Sequence, residues 1–564
     1  MHLKYRIFNA PSAHTIDRAA ELGCNWAIVH SAGIEGPMRD PQTGRETDMF
    51  PIYFESYPKV ARIRHDQDSA WIEPLRREVA ALCERAAGHG LKVAFHMYEP
   101  VLPLLFEQEY PDIVGTWLRP TQAGTVTVHS CLDPDNAATW ELTRGKYAEL
   151  AREFPWVDMF VLTTWDGSGT YWCIPEAEMP IAQRLTRMVE AAREGVQSER
   201  SDCRICFRLW GRNWPRQMYL DGHRLIAEVT GVKNASELME RAASPHNDPD
   251  KVLPAVFAAL PDDVPIMYKS TNIDIADAQP LTLAAGKYPH DREQIIEISY
   301  EQYHKKPWPW CKVQHIRKGL EAASEHDLAG FVALPVNMGN NDRESNPDAG
   351  NLGRMNTWLL ARLLEEDDRS DGELVAAWLM EQFGNTQPAE AVQALLEADD
   401  IVDKGIQWGA GVPCRTPFAS LHTTKLYWMF DGFADPTFPF RMAKPDRTTL
   451  DGMIEAKHTA YERAEAAVAR IEAARAAMHP DLYAELKAAL TMLADSVVLR
   501  RDWDSCLLTQ YGIERGLYPA DRVNLGRMSR YVERFVANLA RLRDTEAGRY
   551  ALSRLPGPDP FPLT

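Results

Sequence analysis

The sequence is short of positive charge. Lys and Arg number 62 against 80 Asp and Glu, a formal net charge of -18. That balance argues against nucleic acid or an anionic membrane as partner, because both need a basic surface. The amino terminus, MHLKYRIFNAPSAH, lacks the long apolar core of a secretory signal, and no stretch nears membrane-spanning length. The nine cysteines are scattered and odd in number, which suits buried thiols in a reducing compartment rather than a disulfide framework. A cytoplasmic address is the expectation. Cys203 and Cys206 form a lone CxxC, but within a strand they would point to opposite faces, and no second pair completes a metal site. No GxSxG elbow, Walker loop, GxGxxG or HExxH occurs, nor any internal repeat.

What the chain does have is a rhythm. Eight short apolar runs punctuate its first 340 residues: 3–9, 25–30, 91–98, 158–165, 203–210, 264–270, 294–301 and 329–337. Helical periodicity separates most of them, best at 70–89, 136–153, 178–197, 311–326 and 350–365. Gly90 stands where the first of these should stop. Eight strand–helix units predict a closed parallel (β/α)8 barrel over about 1–365, with its active site at the C-terminal ends of the strands. The segment 31–69 reads as a long polar loop on that catalytic face, and 211–262 as an insertion. Beyond 366 the strand pattern ends. Segments 372–384, 388–403, 447–478, 480–515 and 519–545 read as helices, so 366–564 is expected to be an α-helical C-terminal domain, with packing or homodimer formation as its role.

Polar and aromatic residues gather at the predicted strand ends: His30, His96, Tyr98, Trp165, Asp166, Arg208, Trp210, Lys269, Glu301 and Asn337, with Asp274 just beyond the sixth strand. Three acids from three strand ends, Asp166, Asp274 and Glu301, suit glycoside hydrolysis. One carboxylic acid protonates the leaving oxygen and another carboxylate activates water or attacks the anomeric carbon. By period-two alternation Glu301 shares its face with Glu297 and Ser299. Arg208 and Lys269 end neighbouring strands, where they could grip one anion such as a uronic acid carboxylate, or neutralise the three acids. Aromatic rings such as Trp165 and Trp210 offer flat faces for sugars. His30 and His96 keep a metal-dependent isomerase or lyase open as another class of barrel.

At these residues the chain resembles the xylan alpha-glucuronidase family of glycoside hydrolases, from roughly residue 70 to 385. LDPDNAATWELTRGKYAELAREFPWVDMFVLTTWDGSGT is similar to the family's DP-rich helix and the strand after it, and CFRLWGRNW to its WRCFVYN-type strand. MYKSTNIDI, IIEISYEQY, FVALPVNMGNND and the helix ending in WLMEQFG follow in the family's order. The resemblance implies inverting removal of a terminal alpha-linked uronic acid, with no metal or organic cofactor. It places the general acid on Asp166, the base on Asp274 or Glu301, and the carboxylate ligands on Arg208 and Lys269. Asp166 stands where the family has Glu, and Leu162 where it has a third basic residue. The expected activity is exo-acting hydrolysis of short oligosaccharides. A glycosidase for a neutral sugar and a barrel that binds carbohydrate without cleaving it are the alternatives within the same fold.

Overall fold

Eight parallel strands close on themselves: β1 (Tyr5–Asn9), β2 (Trp26–Ala32), β3 (Lys92–Tyr98), β4 (Val157–Thr163), β5 (Arg204–Leu209), β6 (Ile266–Lys269), β7 (Gln294–Ser299) and β8 (Gly330–Leu334). Each pairs with its sequence neighbours, and β8 pairs with β1 to shut the barrel. The computed structural model describes residues 3–32, 38–39, 46–47, 49–99, 106–120, 126–163, 178–209, 249–269, 292–299, 309, 311–334, 351–365, 368–406, 446–545 and 547–549.

Alternation along the strands separates two apolar cores. Ile7, Ile28, Ala94, Val161, Cys206, Met267, Ile295 and Val332 point inward and fill the barrel lumen. Their neighbours Phe8, Ala27, Phe95, Phe160, Phe207, Ile296 and Phe331 point outward, beneath the helices. Cys203 packs on the outer side and Cys206 on the inner, so the CxxC pair is divided between two faces. Cys24, Cys83, Cys203, Cys206, Cys311 and Cys506 are free and buried.

The helices that cover the strands are α1 (Ala13–Glu21), α2 (Pro58–Gln67), α3 (Ser69–Gly88), α4 (Ala137–Glu153), α5 (Ile181–Glu199), α6 (Pro249–Ala259), α7 (Val313–Glu325) and α8 (Asn351–Leu364). Ser12 and Thr15 form a reciprocal capping box at the start of α1, and Asn136 caps α4. Gly90 follows α3 with φ +74°, a backbone region that favours glycine, and so turns the chain into β3. One sequence expectation is overturned here. The stretch 31–69 is not a continuous loop: it contains a short antiparallel ribbon, Met38–Arg39 with Glu46–Thr47, and the helix α2. Its helix was hidden because PKVARIRHDQ buries only Val60, Ala61 and Arg64, too few apolar positions to show a period. A second ribbon, Val114–Pro120 with Val126–Leu132, projects between β3 and α4.

After α8 every described regular element is helical: α9 (Asp371–Phe383), α10 (Ala389–Gly405), α11 (Arg447–Ala474), α12 (Pro480–Glu514) and α13 (Arg522–Leu542), with one 3-10 turn at Arg475–Ala477. The outer apolar core of the barrel runs on through Trp378, Leu395, Ile471 and Leu490. A buried ion pair between Lys312, which caps α7, and Asp399 of α10 adds a polar tie across the same junction. Among the described residues no helix is long and apolar enough to cross a membrane.

Candidate functional site

Above the apolar plug the lumen turns polar. On β3, Ala94 belongs to the inner core, so His96 and Tyr98 continue on its face toward the C-terminal mouth. The same step of two leads from Val161 to Thr163 on β4, from Cys206 to Arg208 on β5, and from Ile295 to Glu297 on β7. Lys269 ends β6 at the register position beside Glu297. A polar layer thus sits at the end of the barrel where enzymes of this architecture carry their chemistry.

Its members are joined across four strands. Arg208 Nε donates to Glu297 Oε2 at 2.7 Å, and a terminal nitrogen of the same guanidinium donates to that oxygen as well. Its other terminal nitrogen donates to Thr163 Oγ1 at 3.3 Å. His96 Nε2 is hydrogen-bonded to the same hydroxyl. The His96 ring lies tilted against Tyr98, with centroids 4.6 Å apart. Arg208 is 2 % exposed and Glu297 1 %, so this is a charge pair taken out of water and held by hydrogen bonds. Burial also pushes the Cys206 thiol up, well out of the range in which it ionises, although Arg208 pulls the other way.

Residues near the ends of the neighbouring strands are fixed in their turn. At the end of β3, Glu99 donates its backbone N–H to the Thr163 carbonyl at 2.8 Å, while its carboxylate accepts from Lys146 and from Tyr147 Oη, the latter at 2.5 Å. His30 Nε2 lies 3.2 Å from the carbonyl of Met49, and burial depresses its pKa to about 4, leaving a neutral ring at neutral pH. Met49 and Phe54 both hold positive φ, 59° and 65°, unusual for side chains of that size. The segment that contains them is clamped by Glu149, which accepts the backbone N–H groups of Glu55 at 2.7 Å and Ser56 at 2.6 Å. Arg64 adds a bond to the Phe50 carbonyl at 3.0 Å.

Of the residues expected from the sequence, His96, Tyr98 and Arg208 come together in the polar layer, and the backbone of Lys269 stands beside it. Asp166, Asp274, Glu301, Trp165, Trp210 and Asn337 lie outside the described residues. Sequence reasoning assigned no role to Glu297 or Thr163. The signal for Glu297 was present in the sequence, where it lies four residues before Glu301 and two before Ser299, in step with a period of two. Thr163 carried none beyond its place two residues after Val161. Among the described residues no three His, Cys, Asp or Glu side chains converge as a metal site requires.

No family model matches this chain, and no curated protein sequence matches it. Solved structures do. A GH138 enzyme targeting pectin rhamnogalacturonan II superposes with a TM-score of 0.57 at 12 % identity, covering 95 % of this chain and 58 % of its own. The chain therefore spans about 58 % of the length of that enzyme. An O-GlcNAc hydrolase of Thermobaculum terrenum matches at 11 % identity with TM-score 0.40, covering 98 % of this chain and 94 % of its own. A GH84 protein, CpGH84B, matches at 9 % identity with TM-score 0.39, covering 98 % and 77 %. What this chain shares with the GH138 enzyme at 12 % identity is its fold, which here is a (β/α)8 barrel.

Proposed function

We propose that this chain is a glycoside hydrolase working at the C-terminal mouth of its barrel. The observation that carries the reading is the polar layer of His96, Thr163, Arg208 and Glu297 over an apolar plug. The likeness of fold to the GH138 enzyme, over nearly the whole of this chain, supports it. The reacting carboxyls are those at the strand ends. Asp166 follows Thr163 by three residues and Glu301 follows Ser299 by two; Asp274 comes five residues after Lys269. Asp166 serves as general acid toward the leaving oxygen, and Asp274 or Glu301 as the base that activates water, giving inversion at the anomeric carbon. The substrate is a short oligosaccharide, cleaved from its non-reducing end. A uronic acid is the terminal sugar favoured by the basic residues Arg208 and Lys269.

One observation favours a neutral sugar as the second reading. Arg208 already has a carboxylate partner in Glu297, which leaves less positive charge for a substrate anion. A single set of assays tests both readings. Release of product from matched aryl glucuronides and glucosides, followed by proton NMR of the first-formed anomer, should show an inverted sugar. Asp166→Asn should abolish turnover of a poor leaving group and spare an activated aryl glycoside more. Absence of cleavage across uronic-acid-bearing and neutral oligosaccharides would end the hydrolase reading. Equal small losses on both leaving groups would remove Asp166 from the acid role.

A further inference from the structure

The β5–β6–β7 sector of the layer brings together charges of both signs. The basic residues Arg208 and Lys269 belong to it by strand position, and so, among the described residues, does a buried carboxylate. That carboxylate, Glu297, holds the register position beside Lys269 and is hydrogen-bonded to Arg208. Glu297 is buried, so its charge is poorly screened by solvent and acts strongly on whatever else enters this part of the lumen. Its hydrogen bonds also orient the guanidinium. Both Nε and a terminal nitrogen of Arg208 are turned to one oxygen of Glu297, and the other terminal nitrogen to Thr163. A fork used in this way is not presented as an open bidentate clamp for an incoming carboxylate.

We infer that Glu297 is a specificity-determining residue, whose negative charge sets how far this site prefers an anionic sugar over its neutral analogue. The inference rests on the carbohydrate reading above and names the residue that tunes it. With Glu297 ionised, a sugar carboxylate entering the sector meets a fixed carboxylate as well as the basic residues. Glu297→Gln keeps the size of the side chain and an oxygen that still accepts from Arg208, but removes the charge. The guanidinium then stays in place without the opposing charge of Glu297, and an anionic ligand gains. Arg208→Gln does the opposite, leaving Glu297 to repel the anion. Each single substitution moves one unit of charge beside the site. In a medium of intermediate polarity that shifts selectivity by roughly ten- to fiftyfold.

The experiment measures kcat/KM for a matched aryl uronide and aryl glycoside with wild type, Glu297→Gln, Arg208→Gln and the double variant. Binding of free glucuronate and free glucose to the same four proteins, followed by NMR titration, runs alongside. Expected is an anionic-to-neutral ratio that rises by about tenfold or more in Glu297→Gln, falls by a similar factor in Arg208→Gln, and returns to within about threefold of wild type in the double variant. If one single variant does not fold, the other still gives a ratio of opposite sign. Parallel changes for the two sugars in either variant, or a ratio unmoved by both, overturn the inference. Should wild type bind the sugars and cleave neither substrate, the hydrolase reading fails alone, and the binding ratios decide the role of Glu297. Should no variant bind or cleave either sugar, both readings fall.

Discussion

Arg208 directs two N–H donors at a single oxygen of Glu297, Oε2, with both side chains buried at the polar end of the barrel lumen. The two residues lie 89 apart in sequence and two strands apart around the barrel, so the bond ties β5 to β7 across the inner end of β6. A pair in this position brings little net stability, because desolvation offsets most of the attraction, yet it is costly to break from one side.

The first prediction follows from that asymmetry. Arg208→Met leaves the Glu297 carboxylate buried without its guanidinium and should destabilise the protein by about 3–5 kcal/mol in urea denaturation. Adding Glu297→Leu to that variant should recover most of the loss, since two apolar side chains then replace two charges. Additive losses would mean that the two residues are energetically independent despite their contact.

His30 predicts a pH dependence of stability. Its folded pKa of about 4 lies below the ordinary value of 6.5 because burial disfavours the charged ring. The unfolded chain therefore binds a proton that the folded chain refuses as pH falls below 6.5. Stability associated with this site is complete above pH 6.5, declines through the interval, and is fully lost below about 4. The size is on the order of 3 kcal/mol for such a shift. Denaturation midpoints of wild type and His30→Gln at several pH values should converge on acidification across that window. Parallel curves would show that His30 titrates alike in both states.

Gly195 of α5 packs directly against the backbone of α4. A Cβ at this position would run into the backbone carbonyl of Arg144, an atom that cannot swing aside as a flexible side-chain end would. Gly195→Ala should therefore push the two helices apart and cost about 2–3 kcal/mol, although alanine is the better helix former. Gly88→Ala, where nothing stands within 4 Å, is the control and should be neutral or slightly stabilising. A stable Gly195→Ala protein would mean that the crossing is looser than these positions imply.

Most of the fold could be read from period alone. The run 91–98 predicted β3 at Lys92–Tyr98, and 447–478 predicted α11 at Arg447–Ala474, because a buried strand and a long amphipathic helix each impose a pattern on the sequence. The helix α2 escaped because its buried face includes Arg64, a residue that reads as solvent-facing. The candidate site was legible where a residue type is unusual for a strand interior, as with His96 and Arg208. Glu297 was visible only as a neighbour of Glu301, since its meaning lies in a partner on another strand. Thr163 was illegible for a related reason. A threonine in a strand is ordinary by propensity, and only the folded barrel sets its hydroxyl between a guanidinium and an imidazole.

That hydroxyl supports the last prediction. Thr163 Oγ1 touches both His96 and Arg208, so it couples the two halves of the polar layer. Thr163→Val keeps the shape and removes the oxygen, taking one bond from each partner in a buried setting. Losing a hydrogen bond to a charged group costs on the order of 1.5–3 kcal/mol, or roughly ten- to a hundredfold if the whole of it is felt in the transition state. Thr163→Ser keeps the oxygen and loses only a methyl group. If the hydroxyl positions the site, kcat/KM on the best glycoside substrate should fall in Thr163→Val and stay within about threefold of wild type in Thr163→Ser. Thermal unfolding of both variants separates this from packing. A methyl-dependent site would show the larger loss of activity and of Tm in Thr163→Ser, and a purely structural hydroxyl would lower Tm in Thr163→Val while leaving kcat/KM unchanged below the transition.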